Sequence, residues 1–151
     1  MSWTERLAEL GIELPPVVPP VAAYVPAVRT GSLVYTSGQL PVVDGALVAV
    51  GKVGAAVSPD DAKELARICG LNALAAVHAL VGIDAVVRVI KVVGFVASAE
   101  GFGGQPGVIN GASELFGDVF GVAGKHSRSA VGVAELPLDA PVELEIICEV
   151  S

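Results

Sequence analysis

The chain has 151 residues, 53% of them hydrophobic and 17% charged, a balance that excludes a disordered chain and predicts one domain large enough to bury its own core. Nine Lys and Arg against sixteen Asp and Glu give a formal net charge of −7, and basic residues so few and so scattered oppose a phosphate-backbone partner such as nucleic acid. So little polar surface for a chain of this size predicts self-association, because apolar area in excess of one core tends to be buried against a second copy.

Residues 1–20 read as an N-terminal extension and residues 21–151 as a single domain. In the extension, Thr4 to Leu10 predicts a short amphipathic helix capped by Thr4, with Leu7 and Leu10 on one side and Gly11 at its end. Pro15, Pro16, Pro19 and Pro20 then fix an extended arm lying on the surface. No basic start followed by an apolar stretch marks a signal peptide. No membrane span is expected either, since the longest apolar region, Ile83 to Ala99, is broken by Asp84, Arg88 and Lys91. Cys69 and Cys148 read as buried thiols in a reducing compartment, which predicts a cytoplasmic protein.

Ala22 to Arg29 and Leu33 to Leu40 are strand candidates joined by a tight turn at Gly31, and Ala46 to Val50 is a short strand or edge. The clearest helix starts at Ser58, with Pro59 at its first position and Asp61 placed for a capping box, and stops at Gly82. Ala62, Leu65, Ala66, Cys69, Ala73, Ala76, Val77 and Leu80 form its apolar stripe. Gly70 within it costs about 1 kcal/mol relative to Ala and predicts a close approach there. Val86 to Ala97 is a Val-rich strand. A second helix opens at Pro106 and runs to about Phe120, with Val108, Ala112, Leu115, Phe116 and Val119 inward. Strands, helix, strand, helix, strands in that order predict an α+β layer of two helices over one face of a sheet.

The last third carries two runs of period-two alternation, Ser129 to Leu136 and Val142 to Val150, around a Pro-rich connection at Pro137 to Pro141. Arg128 at the mouth of the first and Glu143 near the start of the second are opposite charges on rigid elements. A simple hairpin register puts Arg128 opposite the region of Cys148, about 13 Å from Glu143, leaving room for a small anion on the arginine and a polarised water on the glutamate. His126 precedes Arg128 and is a candidate for lining a site. His78, mid-helix, reads as a surface residue. The two histidines lack a metal-ligand spacing, so no metal is expected.

TSGQLPV at Thr36 to Val42, the helix with Asn72, NGASELF at Asn110 to Phe116, and RSAVGVAELPLDAPVELE at Arg128 to Glu145 together resemble the RidA/YjgF family, over roughly Tyr24 to the C-terminus. The resemblance implies a chorismate-mutase-like α+β subunit with a mixed sheet, and homotrimers with clefts between subunits. It also implies cofactor-independent hydrolysis of small 2-imino or enamino acids, such as 2-aminoacrylate, to 2-keto acids and ammonia. By position in those motifs, Arg128 matches the arginine that holds the substrate carboxylate and Glu143 the glutamate that positions water. Tyr24, Ser37, Gly38 and Asn110 match cleft-lining positions. Ala130 stands where the family often has cysteine, which excludes a thiol nucleophile but not a role for the backbone. Two rivals remain: a non-catalytic protein that captures a 2-keto acid or similar metabolite, and a ribonuclease, which the acidic composition disfavours.

Overall fold

Alternating apolar residues build a five-stranded mixed sheet with two long helices on one of its faces. The computed structural model describes residues 1–17, 20 and 22–151. Strands β1 (Ala27–Thr30), β2 (Leu33–Thr36), β5 (Val86–Ala97), β6 (Ser127–Val133) and β7 (Val142–Val150) lie in the order β1-β2-β7-β5-β6, while β3 (Val42–Val43) and β4 (Ala46–Leu47) pair separately. Helices α2 (Pro59–Val81) and α3 (Gln105–Phe120) cover the sheet, and a short α1 (Trp3–Glu9) docks beside α3.

Helix α2 forms as its end signals predict. Ser58 Oγ accepts from the Asp61 amide at 3.1 Å, Pro59 opens the first turn, and Gly82 ends the helix at φ 80. At the far end His78 Nδ1 accepts from the Ile83 amide at 3.0 Å, so this surface histidine satisfies a donor just past the helix end. Of the predicted stripe, Ala62 through Val77 is buried, whereas Leu80 is 43% exposed and lines a hollow between α2 and β1. By length and composition α2 could cross a membrane. Here its stripe packs on α3 and β7 as the core helix of the domain.

The hairpin predicted for the last third does not form. β5 lies between the two runs, parallel to β6 and antiparallel to β7, so Arg128 aligns with Val92 and Val92 with Ile146. β5 takes an interior position, flanked on both sides, which suits its run of Val. The first strands are also shorter than predicted. β1 starts only at Ala27, since Pro26 has no amide to donate, and β2 stops at Thr36 because the ladder slips at Ser37–Gly38 before Gln39 pairs again with Leu144. The strand expected over Ala46 to Val50 ends at Leu47.

The cap of α1 is Ser2 rather than Thr4: Ser2 Oγ accepts from the Glu5 amide at 3.1 Å and the Glu5 carboxylate accepts from the Ser2 amide at 2.8 Å. Thr4 instead donates twice to Asp84, hydroxyl at 2.7 Å and amide at 2.9 Å, which holds that carboxyl below its usual range. Trp3 Nε1 donates to the Val86 carbonyl at 2.7 Å and its ring meets Phe120 edge-on, fastening the helix to the sheet end. Of the Pro-rich arm that follows, Pro19 lies outside the described residues, as do its neighbours Val18 and Val21.

Alternation then assigns the faces. Ala27, Val34, Val92, Leu144, Ile146 and Cys148 point to the helices and are buried. Val28, Tyr35, Ile147, Val93, Phe95 and Val131 point the other way, where no element among the described residues covers them. Both cysteines are free and buried, and burial pushes Cys148 up to about 12 and Cys69 well above the ordinary thiol range. Neither is a nucleophile near neutral pH.

Candidate active site

The predicted site residues fall into two groups. In the first, Arg128 leaves β6 on the helix side, where its Nη1 donates to Asn110 Oδ1 at 2.7 Å and to Ser113 Oγ at 3.1 Å. Asn110 and Ser113 are three apart in α3 and therefore share a helix face. The guanidinium is half-buried, and among the described residues its Nε and Nη2 have no hydrogen-bond partner. One edge of the cation is thus held by Asn110 and Ser113, and the other makes no hydrogen bond to the described residues. Ala130, two residues along β6, sits on the same side and packs partly into the core with its methyl.

The second group gathers about Glu143. β7 sends this carboxylate to the uncovered face beside Phe95. It lies over the bare Cα of Gly38, where any Cβ would collide with the carboxylate oxygen. Ser37 Oγ donates to the Val25 carbonyl at 2.6 Å and its amide donates to the Pro26 carbonyl at 2.8 Å, which ties the exposed Tyr24 segment to the same corner. Asn72 Nδ2 donates to the Leu40 and Val42 carbonyls, both at 3.0 Å, and so pins the loop that follows Gly38.

Burial pushes the Glu143 carboxyl up from its usual range, and the like charge of Glu145 adds to this. A raised value means the fold favours the protonated form. Its contribution to stability is therefore present at acid pH and lost as pH rises through the folded value. Glu143→Gln is accordingly expected to raise the melting midpoint at pH 7 by no more than about 2 °C, since the group is only half-buried, and the gain should vanish near pH 4. A variant melting below wild type at pH 7 would contradict the assignment.

The two groups do not meet within one chain. Arg128 aligns through Val92 with Ile146, on the helix side, whereas Glu143 aligns with Phe95 and Val131 on the opposite face. They are two strand spacings, about 10 Å, apart across the sheet and about another 10 Å along it. Two hollows in the surface lie away from both groups. One of about 250 Å³ on the uncovered face is lined by Tyr35, Lys91 and Glu145, and one of about 480 Å³ between β1 and α2 is lined by Val25, Val28 and Leu80.

Sequence reasoning singled out Asn110 but not Ser113. The spacing of three on a helix was the available signal. His126 was a bare candidate, and its role becomes visible only in the fold: Nε2 meets Ser113 Oγ at 2.9 Å and Nδ1 meets the Gly124 carbonyl at 2.7 Å.

Residues 4–150 match the family model described as "YjgF/chorismate_mutase-like, putative endoribonuclease". The chain is 40% identical over 148 residues to protein TCP17 of Trypanosoma cruzi, covering 97% of this chain and 92% of that protein. It is 44% identical to Atu1372 of Agrobacterium tumefaciens, a crystal structure of unknown function, with TM-score 0.90 over 99% of this chain and 92% of that one. The crystal structure of Escherichia coli TdcF with bound serine matches at 30% identity and TM-score 0.65, covering 91% of this chain and 94% of that one.

Proposed function

The chain belongs to the RidA/YjgF family, the YjgF/chorismate mutase-like proteins, and on that footing we propose that it hydrolyses small 2-imino or enamino acids to 2-keto acids and ammonia in clefts between the subunits of a homotrimer. The observation that carries this is Arg128: a guanidinium held at Nη1 by Asn110 and Ser113 with its other edge unpaired is a preset fork for one small carboxylate. Serine bound to TdcF, a ligand of that carboxylate class, is consistent with it.

Glu143 supplies the complementary chemistry. The Glu143 carboxylate, whose raised pKa marks it as a base stronger than an ordinary carboxylate, can take a proton from water as the oxygen adds to the carbon of the protonated imine, giving a carbinolamine. Returning that proton to nitrogen, and then taking the hydroxyl proton as the C=O forms, lets the C–N bond break, so that ammonia leaves with the 2-keto acid behind. Fixing the carboxylate on Arg128 aligns the imine carbon with that water, which converts an encounter into a positioned reaction. Neither step requires a cofactor or a metal, and no residue bonds covalently to substrate.

Because the Arg128 group and the Glu143 group lie on opposite faces, a working cleft takes one group from each of two subunits. The uncovered apolar face supports such an assembly. A ribonuclease is disfavoured by the net charge of −7 and by a site holding one guanidinium rather than a basic stripe. The cytoplasm, where unpaired thiols such as Cys69 and Cys148 persist, is the fitting compartment.

The test is hydrolysis of freshly generated 2-iminopropanoate, followed as loss of the imine trapped by semicarbazide. Acceleration by the wild-type protein is expected. Ala130, a methyl where the family often carries a thiol, favours a second reading as a 2-keto acid binder without catalysis. Tight binding of 2-ketobutyrate with no acceleration would establish that reading in place of the first.

A further inference from the structure

The Arg128 half-site continues inward through a chain of hydrogen bonds whose donors and acceptors can be assigned by elimination. The Gly124 carbonyl can only accept, so His126 Nδ1 carries a proton toward it at 2.7 Å. In the tautomer with its one proton on Nδ1, Nε2 is the acceptor and the Ser113 hydroxyl donates to it across 2.9 Å. With its proton so committed, Ser113 Oγ faces Arg128 as an acceptor, at 3.1 Å from Nη1. Asn110 Oδ1 takes the other Nη1 proton at 2.7 Å. The fully buried Phe116 meets the His126 ring edge-on, with centroids 5.9 Å apart, and holds it in this plane.

We infer that Ser113 and His126 are positioning residues that commit the Nη1 end of Arg128 to the protein and oblige an incoming carboxylate to bind side-on, through Nε and Nη2. The inference rests on the carboxylate-binding role proposed above and adds which edge of the guanidinium is used and what selects it. Nη1 carries two protons, and both are taken. The N–H bonds left in a parallel pair are those of Nε and Nη2, which match the two oxygens of a carboxylate. Without Ser113 as acceptor the guanidinium is free to turn end-on, and the substrate behind the carboxylate swings away from the water it must meet. The site then selects small, unbranched 2-imino and 2-keto acids by the direction in which the chain leaves the fork.

Calorimetric titration of the full-length assembled protein with 2-ketobutyrate tests this. Ser113→Ala and His126→Leu are each expected to weaken binding about tenfold and to raise KM for the imine by a similar factor with a smaller change in kcat. Ser113→Thr and His126→Gln, which restore an acceptor at the same place, should recover most of the loss. Since His126→Leu could disturb the packing on Phe116, Ser113→Ala carries the decision. In that variant the imidazole 15N spectrum should also show Nε2 losing its hydrogen bond, a change that a merely structural role would not tie to affinity. Wild-type affinity in Ser113→Ala, alongside lost binding in Arg128→Ala, would overturn the positioning role and leave the carboxylate site standing. Wild-type affinity in Arg128→Ala as well would overturn both.

Discussion

Subunits carrying Arg128→Ala and subunits carrying Glu143→Gln, each at least about a hundredfold less active alone, are expected to recover about a quarter of wild-type turnover when the two are co-expressed in equal amounts. The arithmetic follows from the two half-sites. In the proposed assembly a cleft would use the Arg128 group of one copy and the Glu143 group of the next, and random assembly gives each group about an even chance of being intact, hence about one cleft in four. If both groups served a site within one chain, every site would lack one of them and mixing would recover nothing. The measurement is imine hydrolysis by tagged, co-purified hetero-oligomers against each parent. Absence of recovery in oligomers shown to contain both subunits would remove the shared cleft from the mechanism.

Much of this frame is legible in the residues, and the illegible part has a definite physical source. Helix α2 can be read nearly to its last residue because its cap, its Pro at the first position, its stripe and its terminal Gly82 are all local signals. β7 is equally plain, since its alternation survives intact from Val142 to Val150. The pairing of β6 with β5 is not local. Pro137 to Pro141 between two alternating runs looks like a hairpin turn, and nothing within those residues says that a strand forty residues upstream inserts between them. With the hairpin goes the geometry of the site: the charge pair Arg128 and Glu143 is visible in the sequence, but the second strand spacing that separates them depends on that insertion. The resemblance identifies the residues of both groups. It does not show that Ser113 and His126 complete the first, because that contact joins a helix to the strand entrance across an intervening turn.

Gly111→Ala is expected to destabilise the protein by about 2 kcal/mol, against the usual sense of a glycine-to-alanine change in a helix. Propensity alone favours Ala by about 1 kcal/mol. At this position, however, the added Cβ would run into the Lys63 carbonyl oxygen of α2, a backbone atom that no side-chain rotation can move. The crossing is tight on both helices, for a Cβ at Gly70 would meet Leu115 at 3.1 Å and Ala112 at 3.4 Å. Relief requires the whole α3 helix to back away from α2, loosening Ala112, Leu115 and Phe116 from a core in which all are fully buried. Overpacking of this kind costs about 1–3 kcal/mol, and a backbone obstacle puts it at or beyond the upper end. Gly117 lies in the same helix with nothing near its missing Cβ, so Gly117→Ala should instead stabilise by up to about 1 kcal/mol. Thermal unfolding of the two variants side by side separates packing from propensity: midpoints moving in opposite directions, by about 6 °C downward for Gly111→Ala, are expected. Because α3 also carries Asn110 and Ser113, the retreat forced by Gly111→Ala should loosen the grip on Nη1 and weaken 2-ketobutyrate binding, while Gly117→Ala leaves it unchanged. Equal midpoints for both variants would mean that the helices are free to part at this crossing, and that Arg128 is not held by a rigid α3.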